Sequence, residues 1–234
     1  MSAAPQPSPD ALLVPIAPRI PAGEVAFATL RQAIISLALP PGMPLSRANL
    51  AARLQVSQTP VREALSRLQD EGLVTVVPSA STHVARIDLD NARQAHFLRV
   101  SLELELGRKL AGAPPPALAA RLAEHLAEQR RLIGQDGFAA ADDAFHARLY
   151  EAAGMSGLWA LVRSRSGHLD RLRRLNLPSP GKMEAVVEEH GRIAEAILAR
   201  DTAATEAALR QHFSATFSRI PAVLARYPDY FAPG

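Results

Sequence analysis

Apolar residues recur every three to four positions along most of the chain, which is the spacing of amphipathic helices. Three such stripes lie before residue 73: Phe27, Leu30, Ile34 and Leu37; Leu50 and Leu54; and Val61, Leu65 and Leu68. The pattern then changes to two β-rich runs, 73–77 and 82–86, which predict a hairpin around 78–81. From about residue 88 to 230 only helical spacing remains. The sequence therefore predicts a mainly α protein.

Three short helices followed by a hairpin are typical of a winged helix-turn-helix, which we place at residues 23–86. Residues 87–91 are predicted to be a linker, and residues 92–234 an all-α helical bundle. Residues 1–22 hold six prolines, which disfavour both helix and strand, so we expect a disordered tail there.

The third predicted helix carries polar side chains where a recognition helix needs them. Ser57 is a suitable N-cap, and Gln58, Thr59 and Arg62 follow on the face opposite the apolar stripe. Arginine and glutamine can read base edges, and hydroxyl groups can hold phosphates. We add Arg47, at the start of the second helix, to these candidate DNA contacts. The pattern alone leaves open a small helical bundle with a solvated polar face.

Composition narrows the kinds of site that the chain can build. It has no cysteine, which excludes disulfides, iron–sulfur clusters and thiolate zinc sites, so any metal must be held by histidines and carboxylates. The net charge of +3 over 234 residues is too small to indicate nucleic-acid binding by itself. No run of about 20 apolar residues and no secretory signal is present, so we expect a cytoplasmic protein that does not enter a membrane.

Three predicted helices of the second domain carry a histidine on their apolar face: His146, His190 and His212. Asp142 precedes His146 by one helical turn, so the two side chains point the same way. A buried carboxylate needs a partner, and four such ligands could hold one metal ion inside a bundle. Two alternatives remain: hydrogen-bonded core histidines, and a local ion pair between Asp142 and His146.

The N-terminal motif resembles the DNA-binding domain of GntR-family bacterial transcriptional regulators. The resemblance runs from Leu39-Pro40-Pro41-Gly42 through the segment 56–65, VSQTPVREAL, to Glu71-Gly72-Leu73-Val74. In that family this segment reads the operator, which implies DNA contacts for Ser57, Thr59 and Arg62. The chain departs from the family pattern at Gln58, where arginine is usual, and at Ala80 and Ser81, where a basic residue and glycine are usual.

The second domain resembles the FCD ligand-binding domain of the FadR-type branch of these regulators. The resemblance rests on DDAFH at 142–146, on Glu189-His190, and on His212. It implies a divalent metal held by Asp142, His146, His190 and His212. Zinc or nickel suits this donor set best, with manganese possible.

The resemblance to the FCD domain also implies a small carboxylate effector beside the metal. Arg99 is our candidate anchor for it, although an ion pair with Glu103 is an equal alternative. Five arginines between 163 and 174 form a basic stretch, for which a solvated surface is the default interpretation.

The sequence thus predicts a homodimeric regulator that binds double-stranded operator DNA and contains a metal. We expect a repressor that an organic-acid or sugar-acid effector releases from its operator. Two alternatives are a metal-dependent enzyme that uses the same histidines, and a structural protein with core histidines.

Overall fold

The structure, a computed structural model, describes residues 20–77 and 81–233. Most of the tail predicted for 1–22 and part of the hairpin turn, including Ala80, lie outside these residues. The described part is mainly α-helical, as predicted. Its elements are α1 (Ala22–Ile35), β1 (Pro44–Leu45), α2 (Arg47–Leu54), α3 (Gln58–Asp70), β2 (Val74–Val77), β3 (Ser81–Val84), α4 (Leu89–Gly112), α5 (Leu118–Arg131), α6 (Phe138–Ala152), α7 (Ser156–Arg165), α8 (Gly167–Asn176), α9 (Lys182–Leu198), α10 (Thr202–Ser214), α11 (Ile220–Arg226) and a 3-10 turn (Pro228–Tyr230).

The first three helices and the β-sheet enclose one apolar core, which confirms the winged helix-turn-helix. The stripe of α3 is buried against α1, and Val61 and Leu68 have no exposed surface. Gly72 ends this helix in the left-handed conformation, with φ of 71°. Ser57 occupies the N-cap position, but its side chain makes no capping hydrogen bond.

Two details of this domain differ from the sequence pattern. Strand β1 has only two residues, too few to show an alternating pattern, yet it pairs antiparallel with β3 so that the strand order is β1-β3-β2. Leu37, assigned to the first helical stripe, lies beyond the end of α1 in a turn with φ of 65°. Its inclusion in the helix was wrong, because the chain turns there.

The second domain is built around α4, which packs against α6, α8, α9 and α10, while α5 covers α6 and α9. Helix α4 begins inside the segment predicted as a linker. Asp88 caps it by accepting hydrogen bonds from the backbone N–H of Asp90 and Asn91, at 2.8 and 3.0 Å. The neighbouring Ile87 is fully buried and pairs with Phe231 near the end of the chain. The segment between the domains is therefore packed rather than free.

The two domains touch closely where α8 begins. A Cβ atom on Gly167 would lie 2.6 Å from Cδ2 of Leu73, a residue of the first domain that is itself fully buried. Glycine at this position therefore allows the N-terminus of α8 to approach Leu73.

Replacing Gly167 by alanine should lower the free energy of unfolding by about 1–3 kcal/mol, because overpacked sites cannot relax freely. Gly157, in the first turn of α7, is the matched control, because a Cβ there meets no atom within 4 Å. We expect Gly157→Ala to be neutral or slightly stabilising. Urea denaturation of both variants measures the difference in the free energy of unfolding. Equal values would mean that Leu73 moves away from the added Cβ atom with no loss of stability.

Candidate metal centre and DNA-binding face

Three buried histidines from three helices meet in the core of the second domain. His146 comes from α6, His190 from α9 and His212 from α10, and one ring nitrogen of each lies within 4.8 Å of the others. The rings also pack together, with centroids 4.7 to 5.3 Å apart. Residues far apart in sequence thus present three nitrogen donors to one point.

Each of these histidines is oriented by a hydrogen bond from its Nδ1 atom to an oxygen. The acceptors are Glu103 for His146 (2.6 Å), Gln129 for His190 (2.9 Å) and Glu189 for His212 (2.8 Å). Because these oxygens accept, each Nδ1 carries the proton and each Nε2 keeps its lone pair. The Nε2 atoms of His146 and His190 are buried and have no hydrogen-bond partner among the described residues. Such orphaned lone pairs are the donor state that a metal requires.

Burial keeps the imidazoles of His146 and His190 neutral. Desolvation, and next the charge of Arg99, lower the pKa of His146 to about 4. Desolvation lowers the pKa of His190 well below its usual value, and the neighbouring His212 lowers it further. At pH 7 both rings are therefore uncharged, and no proton has to leave before a metal binds.

Asp142 lies beside the histidine cluster, and its two carboxylate oxygens have different partners. Its Oδ1 is 3.7 Å from Nε2 of His190, whereas its Oδ2 is paired with Arg173 of α8. Burial by itself would raise the pKa of Asp142, but Arg173 and His190 hold it below its usual range. The carboxylate is thus ionised, with one oxygen directed toward the histidines. The structure brings the four predicted ligands together, with Asp142 at the edge of the group.

The position of Arg99 fits both of its predicted roles, an ion pair with Glu103 and an anchor for a carboxylate effector. Its Nε donates to Glu103 at 2.8 Å, so the ion pair along α4 is present. Its Nη2 is buried and has no hydrogen-bond partner in the described part of the chain. Arg99 also lines a cavity beside the histidines, together with Asp142, His212, Arg173, Lys182, His96, Phe213 and Thr216. The three basic side chains make this cavity suited to an anion.

The basic stretch between 163 and 174 is a solvated surface only in part: Arg165 is exposed, but other arginines are not. Arg171 has no exposed surface, and the side chains of Arg163 and Arg173 are only about one-fifth exposed. Carboxylates of α6 and α8 pair with Arg163 and Arg173. Arg171 instead donates to main-chain carbonyl oxygens. Spacing along the chain does not predict these partners. Gln129 was also missed, although it follows Leu122 and Leu126 on the apolar stripe of α5.

The five predicted DNA contacts all lie on the surface of the first domain. Arg47 begins α2, while Ser57, Gln58, Thr59 and Arg62 surround the N-terminus of α3. The buried face of α3 points away from them, toward α1. Neither arginine makes an ion pair with any other described residue, so both guanidinium groups are available to a nucleic acid.

Comparison with known families matches both halves of the chain. The model of the bacterial regulatory proteins, gntR family, covers residues 22–84, and the FCD domain model covers residues 94–215. The chain belongs to the GntR family of transcriptional regulators and carries an FCD domain. The family assignment makes this GntR regulator a protein that binds operator DNA, not an enzyme. The metal-dependent enzyme considered above is therefore not its function.

Relatives and solved structures agree with this assignment. The regulator is 37% identical to an uncharacterized HTH-type transcriptional regulator from an unstable DNA locus of Streptomyces ambofaciens, over 88% of each chain. It is 28% identical to the HTH-type transcriptional repressor RspR of Escherichia coli K12, over 92% of this chain and 96% of that one. E. coli McbR/YncC shares the fold, with a TM-score of 0.73 at 20% identity over 89% of this chain and all of that one. No described helix is long and apolar enough to cross a membrane.

Proposed function

We propose that this GntR regulator holds a divalent metal at His146, His190 and His212, with Asp142 as a fourth ligand. The observation that carries the proposal is the hydrogen bond that each histidine Nδ1 makes to an oxygen. Those three bonds leave the Nε2 lone pairs available to a metal, and one ring nitrogen of each histidine lies within 4.8 Å of the others in a buried site. A structural histidine in a core normally has both nitrogens satisfied, so two unpartnered Nε2 atoms favour a ligand role.

The donor set favours zinc or nickel, with manganese as a third candidate. Three neutral imidazoles and one carboxylate suit these ions, whereas magnesium and calcium require more oxygen ligands. A metal at this position would supply a Lewis-acid contact for a carboxylate oxygen of a ligand in the adjoining cavity.

The charges that line the cavity favour a small organic acid as the effector. Arg99, Arg173 and Lys182 line it, and the Nη2 atom of Arg99 has no partner among the described residues. A guanidinium group can bind a carboxylate through two parallel hydrogen bonds. The family resemblance points to the same class of ligand.

Operator binding is proposed to require a homodimer. The first domain carries an excess of only two positive charges over residues 23–86, so a single copy makes few phosphate contacts. A two-fold dimer on a two-fold operator doubles them. We further propose that the protein is a repressor released by its effector, which is supported by the repressor name of its relative RspR.

Metal analysis of the purified protein tests the central proposal. Elemental analysis should find about one zinc or nickel ion per chain, and a chelator-stripped sample should regain one equivalent of zinc. Protein that neither contains nor regains a metal would overturn the metal site, while leaving DNA binding intact.

Selection of operator fragments tests the proposed dimer. Fragments selected from random DNA by the wild-type protein should be palindromic and bound by two chains.

Replacing Arg62 by alanine should weaken binding to the selected operator by about 1–3 kcal/mol, roughly five- to 150-fold, if the side chain reads a base. Arg62 is exposed on α3 and makes no ion pair with another described residue, so the variant should fold normally. Arg210→Ala, an exposed arginine of α10, is the matched control and should bind as the wild type does. Fluorescence anisotropy measures both affinities, and equal affinity of Arg62→Ala and wild type would refute the role.

A further inference from the structure

Helix α8 joins the metal-binding domain directly to the end of the recognition helix. The Nε2 of His168 donates to the carbonyl oxygen of Gly72 at 3.0 Å, and its Nδ1 accepts from the backbone N–H of Asp88 at 2.9 Å. Gly72 is the residue that ends α3. Burial and the nearby Arg171 lower the pKa of His168 to about 4, so the ring is neutral and can make both bonds at pH 7.

Arg171 strengthens the same joint. It is fully buried, its Nη1 donates to the carbonyl oxygen of Ala85 at 2.6 Å, and its Nη2 lies 3.0 Å from Nδ1 of His168. Ala85 follows strand β3 of the wing. One turn of α8 therefore contacts the end of the recognition helix and the end of the wing, so a shift of α8 would move both.

The other end of α8 reaches the candidate metal site. Arg173 pairs with Asp142, and its Nη1 lies 3.4 Å from Oδ1 of Asp143 and 3.6 Å from Oδ1 of Asp170. Arg163 shares these last two carboxylates, with its Nη1 at 3.1 and 3.0 Å from them. Two guanidinium groups thus share three carboxylates, of which only Asp142 faces the histidines.

This group of charges has a second contact with the DNA-binding domain. The main-chain oxygen of Arg163 accepts a hydrogen bond from Nη2 of Arg31 in α1. The Nε of Arg31 donates in turn to Glu71 at 2.7 Å, and Glu71 is the C-cap residue of α3. A continuous series of contacts therefore runs from Asp142 through Arg173, Asp143 and Arg163 to the recognition helix.

The cavity beside the histidines is small. Its volume is about 40 Å³, room for only about three water molecules. An organic acid that is larger than this must displace part of the wall. Arg173 is a long side chain in that wall, and it carries the charge that an entering anion attracts. A metal ion at the histidines attracts Asp142 instead, and either event weakens the Asp142–Arg173 pair.

We propose that Arg173 couples the occupancy of the histidine site to the position of the recognition helix. When a cation binds Asp142, the Arg173 side chain moves toward Asp143 and Asp170. When an anion enters the cavity, the side chain moves toward the anion. Helix α8 shifts with it and changes the contacts of His168 and Arg171 with the DNA-binding domain. The proposal rests on the proposed metal site, because binding there starts the change. The residues that carry the change onward, Arg173, His168 and Arg171, are not metal ligands; we call them the relay.

Zinc alone, added to chelator-stripped protein, tests this coupling. In the wild type, zinc should change the operator dissociation constant by at least about fivefold, the lower end of typical allosteric couplings. It should also change the hydrogen-exchange rate of the Asp88 amide, whose N–H is bound to His168. In Arg173→Gln, about one zinc per chain should still bind, but the operator response should fall below about twofold.

Arg174→Gln is the matched control, because Arg174 is the next arginine of α8 and pairs only loosely with Asp136, at 3.7 Å. It should keep the wild-type response. If Arg173→Gln fails to fold, Arg173→Lys replaces it, and a reduced zinc response is again expected because lysine loses the guanidinium fork. A full zinc response in the variant, or zinc binding to the wild type without any change in either readout, would overturn the coupling.

Failure of the metal site itself would be visible separately. If the stripped wild type binds no zinc, the proposed metal centre is wrong, and the relay is then judged on metal-free protein alone. In that case Arg173→Gln should speed exchange of the Asp88 amide at least about fivefold relative to Arg174→Gln, since it removes part of what fixes α8. Equal exchange in the two variants would overturn the relay as well.

Discussion

Replacing His190 by alanine should weaken zinc binding by more than about a hundredfold, because even the partners that orient a metal ligand are commonly worth about 10–100-fold. The variant removes one of three converging nitrogens and leaves Gln129 without its partner. Competition against a chromophoric chelator measures the loss. A second expected result is that zinc no longer raises the thermal unfolding temperature of the variant, because a metal that does not bind cannot stabilise the fold.

Two further variants make the result on His190 interpretable. The His190 ring stacks on Phe145 with centroids 3.9 Å apart, so alanine also leaves a cavity. His190→Phe removes both ring nitrogens and fills the space with a slightly larger ring, and it should lose zinc equally. His125→Ala removes a histidine of α5 that contacts Arg148 outside the cluster, and it should bind zinc normally. Wild-type affinity in His190→Phe would place the metal elsewhere.

Replacing Glu103 by alanine should destabilise the metal-free protein by about 3–5 kcal/mol, the range found when one partner of a buried ion pair is removed. Glu103 is fully buried and holds two groups, Nε of Arg99 at 2.8 Å and Nδ1 of His146 at 2.6 Å. Burial by itself would raise its pKa, but His146 and Arg99 lower it to about 2. The carboxylate is therefore charged in the core, and its loss leaves the charge of Arg99 uncompensated.

The neighbouring Glu105 provides the control on the same helix. It is an exposed glutamate paired with Arg108, so Glu105→Ala should change the free energy of unfolding by less than about 1 kcal/mol. Urea unfolding of both variants, followed by circular dichroism, gives the comparison. Glu103→Ala should also weaken zinc binding, because His146 loses the bond that fixes its orientation. Similar stabilities for the two variants would mean that water solvates Arg99 in place of Glu103.

Local features were predictable wherever short-range chemistry decides them. The stripe of α3 follows from the spacing of its apolar residues, and its end at Gly72 follows from the conformational freedom of glycine. Ser57 occupies the N-cap position as predicted, although its side chain makes no capping hydrogen bond. Strand β1 was not predictable, because its two residues become a strand only by pairing with β3. Leu37 was assigned to the first helix because it continues the helical spacing of the apolar residues, and that spacing does not reveal that the chain turns there.

The arginines between 163 and 174 show most clearly where sequence reasoning ends. As a charged run they are typical of a solvated face, and the chain gives no local reason to bury them. The structure buries Arg171 fully and Arg173 mostly, because carbonyl and carboxylate oxygens from distant segments meet them there. Burial of a charge depends on its partner, and the partner of Arg173, Asp142, lies 31 residues away.

The sequence by itself determined the two domains, the recognition helix and the four candidate ligands, because each depends on residue types at helical spacing. It left open whether the histidines are ligands or ordinary core residues. Only the tertiary structure supplied the acceptors Glu103, Gln129 and Glu189, which select the tautomer and leave the Nε2 atoms free. Only the tertiary structure showed that α8 joins this site to the recognition helix. Both are contacts between elements remote in the chain, and local pattern carries no information about them.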